Sequence, residues 1–263
     1  MRRLVLAAAL LAAGSLVPRS SDAAERWVDR PMTLHRLVFA GDAGLGIGHR
    51  DLFNHGFTGP GLNLEGAIGV TEQLELGLRT GIRLGDDARI TGADSYGRTL
   101  WTETYGTGGD TVANPELRIR WVAYSGSIAE VGLDGRVYLP IEDGTRFGLM
   151  FGVPLAFHLS DFVRIDTGVY LPTLFYDPTQ LAISIPGYFW FQVSEKLWLG
   201  PQAAVRFASL GNDGHHNDLL LGFGMGYQVM QAIDLKWWAL APNIDNGLHQ
   251  WGVGFGAQFR IGE

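Results

Sequence analysis

The chain contains no cysteine. That excludes disulfides, thiolate metal sites, a cysteine nucleophile and a lipid anchor attached through sulfur. Lysine is nearly missing as well, with only Lys196 and Lys236 in 263 residues. At a net charge of -7 the chain offers no basic surface, so nucleic acid is not an expected partner. After the first 23 residues no apolar run approaches the ~20 residues that a membrane-crossing helix needs. Convincing amphipathic helices are absent too. Disorder is excluded by an apolar share of 46% against 18% charged residues. What the chain has in excess is glycine, 37 residues, about twice the usual share and without a collagen period.

Residues 1–23 read as a secretory signal peptide. Arg2 and Arg3 form a basic start, Leu4 to Ala13 an unbroken apolar run, and Ser21-Asp22-Ala23 places small residues where a signal peptidase reads. Removal of this leader takes away Arg2, Arg3 and Arg19 against Asp22 alone, so the exported chain, residues 24–263, is more acidic still. Export from a Gram-negative cell is expected.

The remainder alternates with period two. Residues 74–84 put Leu74, Leu76, Leu78, Thr80, Ile82 and Leu84 on one face and Glu75, Gly77, Arg79, Gly81 and Arg83 on the other. Phe147, Leu149, Phe151, Val153, Leu155 and Phe157 share a face, as do Trp251, Val253, Phe255, Ala257, Phe259 and Ile261. Such runs are half-apolar strands. Their length, about 9–12 residues, suits a tilted membrane crossing better than a soluble strand of about 5–6. The polar face carries glycine and paired charges, which fits an interior rather than a solvated surface. The expected fold is therefore all-β: a transmembrane, antiparallel, up-and-down β-barrel with its apolar row on lipid. A soluble sandwich is the competing architecture.

Strands are expected near 34–46, 61–70, 74–85, 114–123, 128–139, 147–158, 162–171, 181–192, 196–208, 218–227, 232–240 and 249–261, about twelve in all, with ten as the alternative count. Tight turns at 71–73, 125–127, 159–161, 193–195 and 229–231 interleave with longer loops at 47–60, 86–113, 140–146, 172–180, 209–217 and 241–248. Short turns on the periplasmic side place both chain ends there.

This combination of leader, long alternating strands and interleaved loops resembles Gram-negative outer-membrane β-barrel proteins across essentially the whole mature chain. More narrowly, Arg30-Pro31-Met32-Thr33-Leu34, a Gly-rich first strand and then Gly69-Val70-Thr71-Glu72-Gln73-Leu74-Glu75-Leu76-Gly77 resemble exported barrels grouped with the MetA-pathway phenol-degradation family. Members of that family are proposed to be outer-membrane channels for small, often aromatic, compounds. The resemblance implies insertion by the barrel assembly machinery into a membrane of lipid and lipopolysaccharide. Such barrels usually end on an aromatic residue, whereas this chain ends Phe259-Arg260-Ile261-Gly262-Glu263.

By parity the inward face carries Glu65, Glu75, Arg79, Arg83, Glu116, Arg118, Arg120, Glu130, Asp134, Arg136, Arg164 and Asp166. These are the candidate lumen and selectivity residues, since mixed charges across a pore sort solutes by charge and dipole. They equally suit a closed lumen in which arginines and carboxylates satisfy one another. Three-residue turns at 71–73 and 125–127 would set Glu65 opposite Arg79, Arg118 opposite Asp134, and Glu116 opposite Arg136. The inward glycines Gly222, Gly224, Gly226, Gly252, Gly254 and Gly256 are expected to leave room for solute, or else to receive bulky rings.

The stretch Gly211 to Asp218, with His215 and His216, holds metal-competent groups at no recognised spacing, and a solvated hairpin loop is the expected reading. No histidine lies beside a serine in a nucleophile context, so neither catalytic residues nor a cofactor or metal is expected. The reading is a passive channel for small hydrophilic or amphipathic solutes. A closed structural barrel is the alternative, and a lipid-modifying enzyme stands third.

Overall fold

The computed structural model describes residues 25–52, 55–83, 112–141, 146–175, 179–209, 215–241, 244 and 250–262. The expected signal peptide and most of loop 86–113 lie outside them. Twelve antiparallel strands form one closed sheet: β1 (Phe39–Leu52), β2 (His55–Thr71), β3 (Leu74–Arg83), β4 (Val112–Ser125), β5 (Ala129–Tyr138), β6 (Gly148–Ser160), β7 (Val163–Leu174), β8 (Gln180–Gln192), β9 (Leu197–Ser209), β10 (His215–Met230), β11 (Ile233–Ala241) and β12 (Gln250–Ile261). Each strand pairs with its chain neighbours, and β12 closes on β1 from Phe39↔Ile261 to Arg50↔Gln250. Closure leaves no unpaired edge, which a strand structure in lipid requires.

The two faces differ as the period-two pattern demands. Outward Leu76, Leu78 and Phe151 are 43%, 51% and 63% exposed, whereas inward Glu75 and Arg120 are 0% exposed. A wall that is apolar outside and charged inside is stable only with lipid around it. Aromatic side chains pack on each other along the outer surface, as at Phe39–Phe259 and Trp237–Phe255.

Three features depart from the sequence reading. The first strand begins at Phe39, five residues later than expected at residue 34. Residues 25–38 instead form a separate segment, with Trp27–Asp29 as a single 3-10 turn; Trp27, Val28, Arg30 and Met32–Leu34 are buried in the barrel, and His35–Leu37 emerge at its mouth. Leu37 takes a left-handed conformation, φ 65°, where the chain turns from this segment into β1; that costs a non-glycine residue roughly 1–2 kcal/mol. Secondly, β2 and β10 reach into the expected loops 47–60 and 209–217, so β1 and β2 pair as far as Leu52↔His55. Thirdly, the β4–β5 register differs. Arg120, not Arg118, faces Asp134; Arg118 faces Arg136; and Glu116 faces Tyr138. The cause is the turn: Ser125↔Glu130 encloses four residues where three were expected at 125–127, which moves the pairing by three positions, and the bulge between Val122 and Tyr124 takes one of them back. The β2–β3 register is as expected, with Glu65 opposite Arg79.

Candidate functional site

The site is the lumen at its short-turn end, where residues 25–38 lie across the opening. The segment is held through its backbone. Met32 N–H donates to Glu130 Oε2 (2.7 Å), Leu34 N–H to Glu75 Oε2 (3.0 Å) and Val28 N–H to Gln192 Oε1 (3.3 Å). Its carbonyls accept from the opposite charge: Val28 O from His158 Nδ1 (2.7 Å), Arg30 O from Arg164, and Met32 O from Arg120 Nη1 (3.5 Å). Leu37 N–H donates to Gly69 O (2.7 Å) and Gly69 N–H to Val38 O (3.0 Å), so the end of the segment joins β2; the stretch before it has no strand partner, and acids and bases of the wall meet its donors and acceptors. Gly69 on β2 permits the closest approach, since a Cβ there would fall 2.0 Å from the His35 carbonyl oxygen.

Two side chains anchor the segment. Trp27, 1% exposed, stacks on Trp198 with centroids 5.1 Å apart and planes 7° apart, and meets Trp190 edge-on at 5.7 Å. Arg30 reaches Asp234 through both terminal nitrogens, at 2.6 and 3.2 Å, and its guanidinium lies 5.2 Å from the Trp27 ring and 5.5 Å from the Trp198 ring. Asp234 also accepts from Arg260 at 2.7 Å. Outside the barrel mouth, Glu72 takes hydrogen bonds from His35 (3.0 Å) and the Arg36 N–H (3.2 Å), and these hold its carboxyl below the ordinary carboxylate range.

The inward charges join into a network. Arg118 bridges Glu65 (3.0 Å) and Glu75 (2.7 Å). Arg136 bridges Glu116 (2.9 Å) and Asp134 (3.1 Å), and Asp134 also takes Arg120 at 2.6 Å. Arg79 approaches Glu116 at 3.9 Å, Arg164 pairs with Asp166 at 2.9 Å, and Glu130 accepts from Ser125 Oγ at 3.0 Å. Arg118 therefore tolerates Arg136 opposite it because each is claimed by two carboxylates. Of the twelve candidate residues, eleven are buried in the lumen. Arg83 ends β3, and its side chain lies outside the described residues.

Parity reading undercounted the charges on the first strand and on β9–β12. Asp42 on β1, Arg206 on β9, Asp218 on β10, Asp234 and Lys236 on β11 and Arg260 on β12 are all inward and buried. Lys236 pairs with Asp42, and Arg206 with Asp218. Inward charge therefore extends to β1 and to β9–β12, while β8 carries none. The stretch 211–218 is also reassigned: His215 to Asp218 are strand, Asp218 is taken by Arg206, and 211–214 lie outside the described residues. Among the described residues no cluster of three His, Asp or Glu is set to hold a metal.

The inward glycines mostly seat rings and do not widen the bore. A Cβ on Gly226 would fall 2.1 Å from the Trp198 ring, on Gly254 2.3 Å from Trp238, and on Gly224 2.8 Å from Trp190. Gly252, nearer the long loops, has only ordinary contact, at 3.7 Å. Towards that end the wall is apolar in two patches: Tyr138, Met150 and Leu174 with Tyr170, and Ala204, Leu220, Trp238 and Leu240. The lumen is therefore filled by the segment and side chains at its short-turn end, with a mixed apolar and charged wall beyond.

No described protein family and no curated protein matches the chain. In structure it is similar to the COG4313 outer membrane channel from Pseudomonas putida F1, with a TM-score of 0.59 and 10% identity over 93% of this chain and 100% of that one. It is similar to the NanC porin (TM-score 0.58, 9% identity, 83% of this chain and 100% of that one) and to the KdgM porin (0.55, 7%, 83% and 98%). At such identities the likeness establishes the fold. This chain folds as the barrels of outer-membrane channels do, as its strand pattern and interleaved turns lead one to expect.

Proposed function

We propose that the protein is a passive outer-membrane channel for small amphipathic solutes, closed at rest by its own residues 25–38. The observation that carries this reading is how the bore is filled. At the short-turn end it is occupied by a separate segment, held by hydrogen bonds, one buried ion pair and ring stacking, and not by wall side chains alone. Withdrawal of residues 25–36 breaks no pairing of the twelve strands, while Leu37 and Val38 keep their backbone bonds with Gly69. It leaves a path lined by Glu75, Glu130, Asp234, Arg120 and Arg164 at the periplasmic end and by the two apolar patches beyond. Charges bordering apolar walls suit solutes with both characters. Passage by diffusion needs no energy source or cofactor.

A closed structural barrel is the second reading, favoured by the filled short-turn end. The two separate in one experiment. The full chain, refolded and placed in planar bilayers and in liposomes, is expected to give rare, brief openings and slow swelling with small amphipathic solutes. Complete silence of the wild type and of every segment variant, in protein shown to be folded, would leave the structural barrel.

A further inference from the structure

We propose that the short-turn end of the lumen holds a binding site for a flat aromatic cation, and that Trp27 and Arg30 occupy it as an internal ligand. The wall side of the site is Trp198, Trp190 and Asp234. Trp198 offers a face, to which Trp27 is parallel at 5.1 Å. Trp190 stands across it and meets Trp27 at 76°. Asp234 supplies a buried carboxylate beside the rings and takes both terminal nitrogens of Arg30. Together these fit an aromatic ring with a positive charge attached, because ring stacking, the ring quadrupole and the carboxylate all favour that one chemistry.

The site is built by the wall and does not depend on the segment for its shape. Gly226 clears the space in which the Trp198 ring lies. Trp190 is fixed by its Nε1–H bond to Asp166 Oδ2 (3.1 Å) and by Tyr188 stacked on it, 6.3 Å away with planes 3° apart. Asp234 keeps Arg260 when Arg30 leaves. A neutral aromatic ring would meet only the indoles, and an aromatic anion would be opposed by Asp234. The cation replaces both parts of the internal ligand, and so competes with the segment for the mouth.

This inference rests on the channel reading in one respect: the segment has to leave the mouth. The test is equilibrium binding by calorimetry to the full chain refolded in detergent, with tryptamine, indole and indole-3-acetate as probes. Trp27→Ala is expected to bind tryptamine about tenfold or more tighter than the wild type, in the order tryptamine, indole, indole-3-acetate. Adding Asp234→Asn to that variant is expected to weaken tryptamine about tenfold and to leave indole binding no weaker. Trp27→Leu, which keeps apolar volume in the mouth but removes stacking, carries the same expectation if the alanine variant does not fold. Equal tryptamine affinity in wild type and variants, equal affinity for the anion, or collapse of both variants would each overturn the proposal. Conductance distinguishes this failure from that of the channel reading. Openings without tryptamine binding remove the site alone, and binding without openings in any variant removes the channel alone.

Discussion

Replacing Arg30 by alanine should unlatch the segment while leaving the wall intact. Arg30 is 2% exposed and gives two hydrogen bonds to Asp234, at 2.6 and 3.2 Å, besides its contacts with two indole rings. Charged hydrogen bonds are worth about 1.5–3 kcal/mol net, and each cation–π contact adds about 0.5–1 kcal/mol at accessible sites. Three facts moderate the loss. Asp234 retains Arg260, so no buried carboxylate is stranded. Trp27 still stacks on Trp198. The backbone bonds of Val28, Met32 and Leu34 to the wall remain. A loss of about 2–3 kcal/mol in docking remains, which is a shift of about 30- to 150-fold in the docked-to-released ratio. Single-channel recording reads that ratio as open probability, and Arg30→Ala should open correspondingly more often at unchanged unit conductance. Asp234→Ala should open at least as often, since it removes the carboxylate that both Arg30 and Arg260 hold, and the double variant should show coupling between the two sites. An Arg30→Ala protein that is folded and opens no more often than the wild type would refute the latch.

Other expectations follow from the wall and the mouth. Leu78→Arg places a charge on the lipid face near the middle of β3 and should destabilise the barrel by roughly 2–4 kcal/mol, with Leu76→Arg, nearer the short turn, costing less, measured by urea unfolding from vesicles. Gly226→Ala should cost about 1–3 kcal/mol by displacing the Trp198 ring, whereas Gly252→Ala should be near neutral, in the same assay. The β4–β5 register can be read chemically in this cysteine-free chain: a Leu117→Cys, Val137→Cys pair should oxidise readily, and Leu117→Cys with Gly135→Cys should not. The carboxyl of Glu72 is held below its ordinary value by His35 and the Arg36 N–H, so that contact supports the folded mouth above the ordinary value and is lost as pH falls through the lowered one. Titration followed by NMR should show the Glu72 carboxyl protonating below free glutamate, and His35→Ala should raise it.

Most of the wall was legible because a barrel strand announces itself twice, by its period and by its turns. Glu75, Arg79 and Leu76 are where parity puts them. The lumen segment was not legible. Leu34, Arg36 and Val38 alternate as a strand does, and an extended chain inside a barrel has the same period as one in its wall. The available signal was compositional: Trp27 and Arg30 follow the expected leader cleavage site directly, ahead of any turn, where a plain strand start needs neither. The bulge at Val122–Tyr124 leaves no mark in sequence, since neither glycine nor proline lies within it. The charges of β10–β12 were within reach of parity. Asp218 was set at the start of the expected strand 218–227 yet weighed only with the metal-competent stretch before it, and Asp234, Lys236 and Arg260 were passed over although they share the parity of inward residues. The fate of the glycines depended on register: Trp238 faces Gly224 and Gly254, and only the paired structure reveals that its ring lies over Gly254.

Steady bilayer current through a chain lacking residues 25–35, compared with the full chain under the same voltage, tests the central claim most directly. The shortened chain keeps all twelve strands and all wall side chains. It should hold a continuous open current where the full chain shows rare openings, and should admit solutes to liposomes faster. A shortened chain that runs as a folded barrel yet is as silent as the full one would contradict the account.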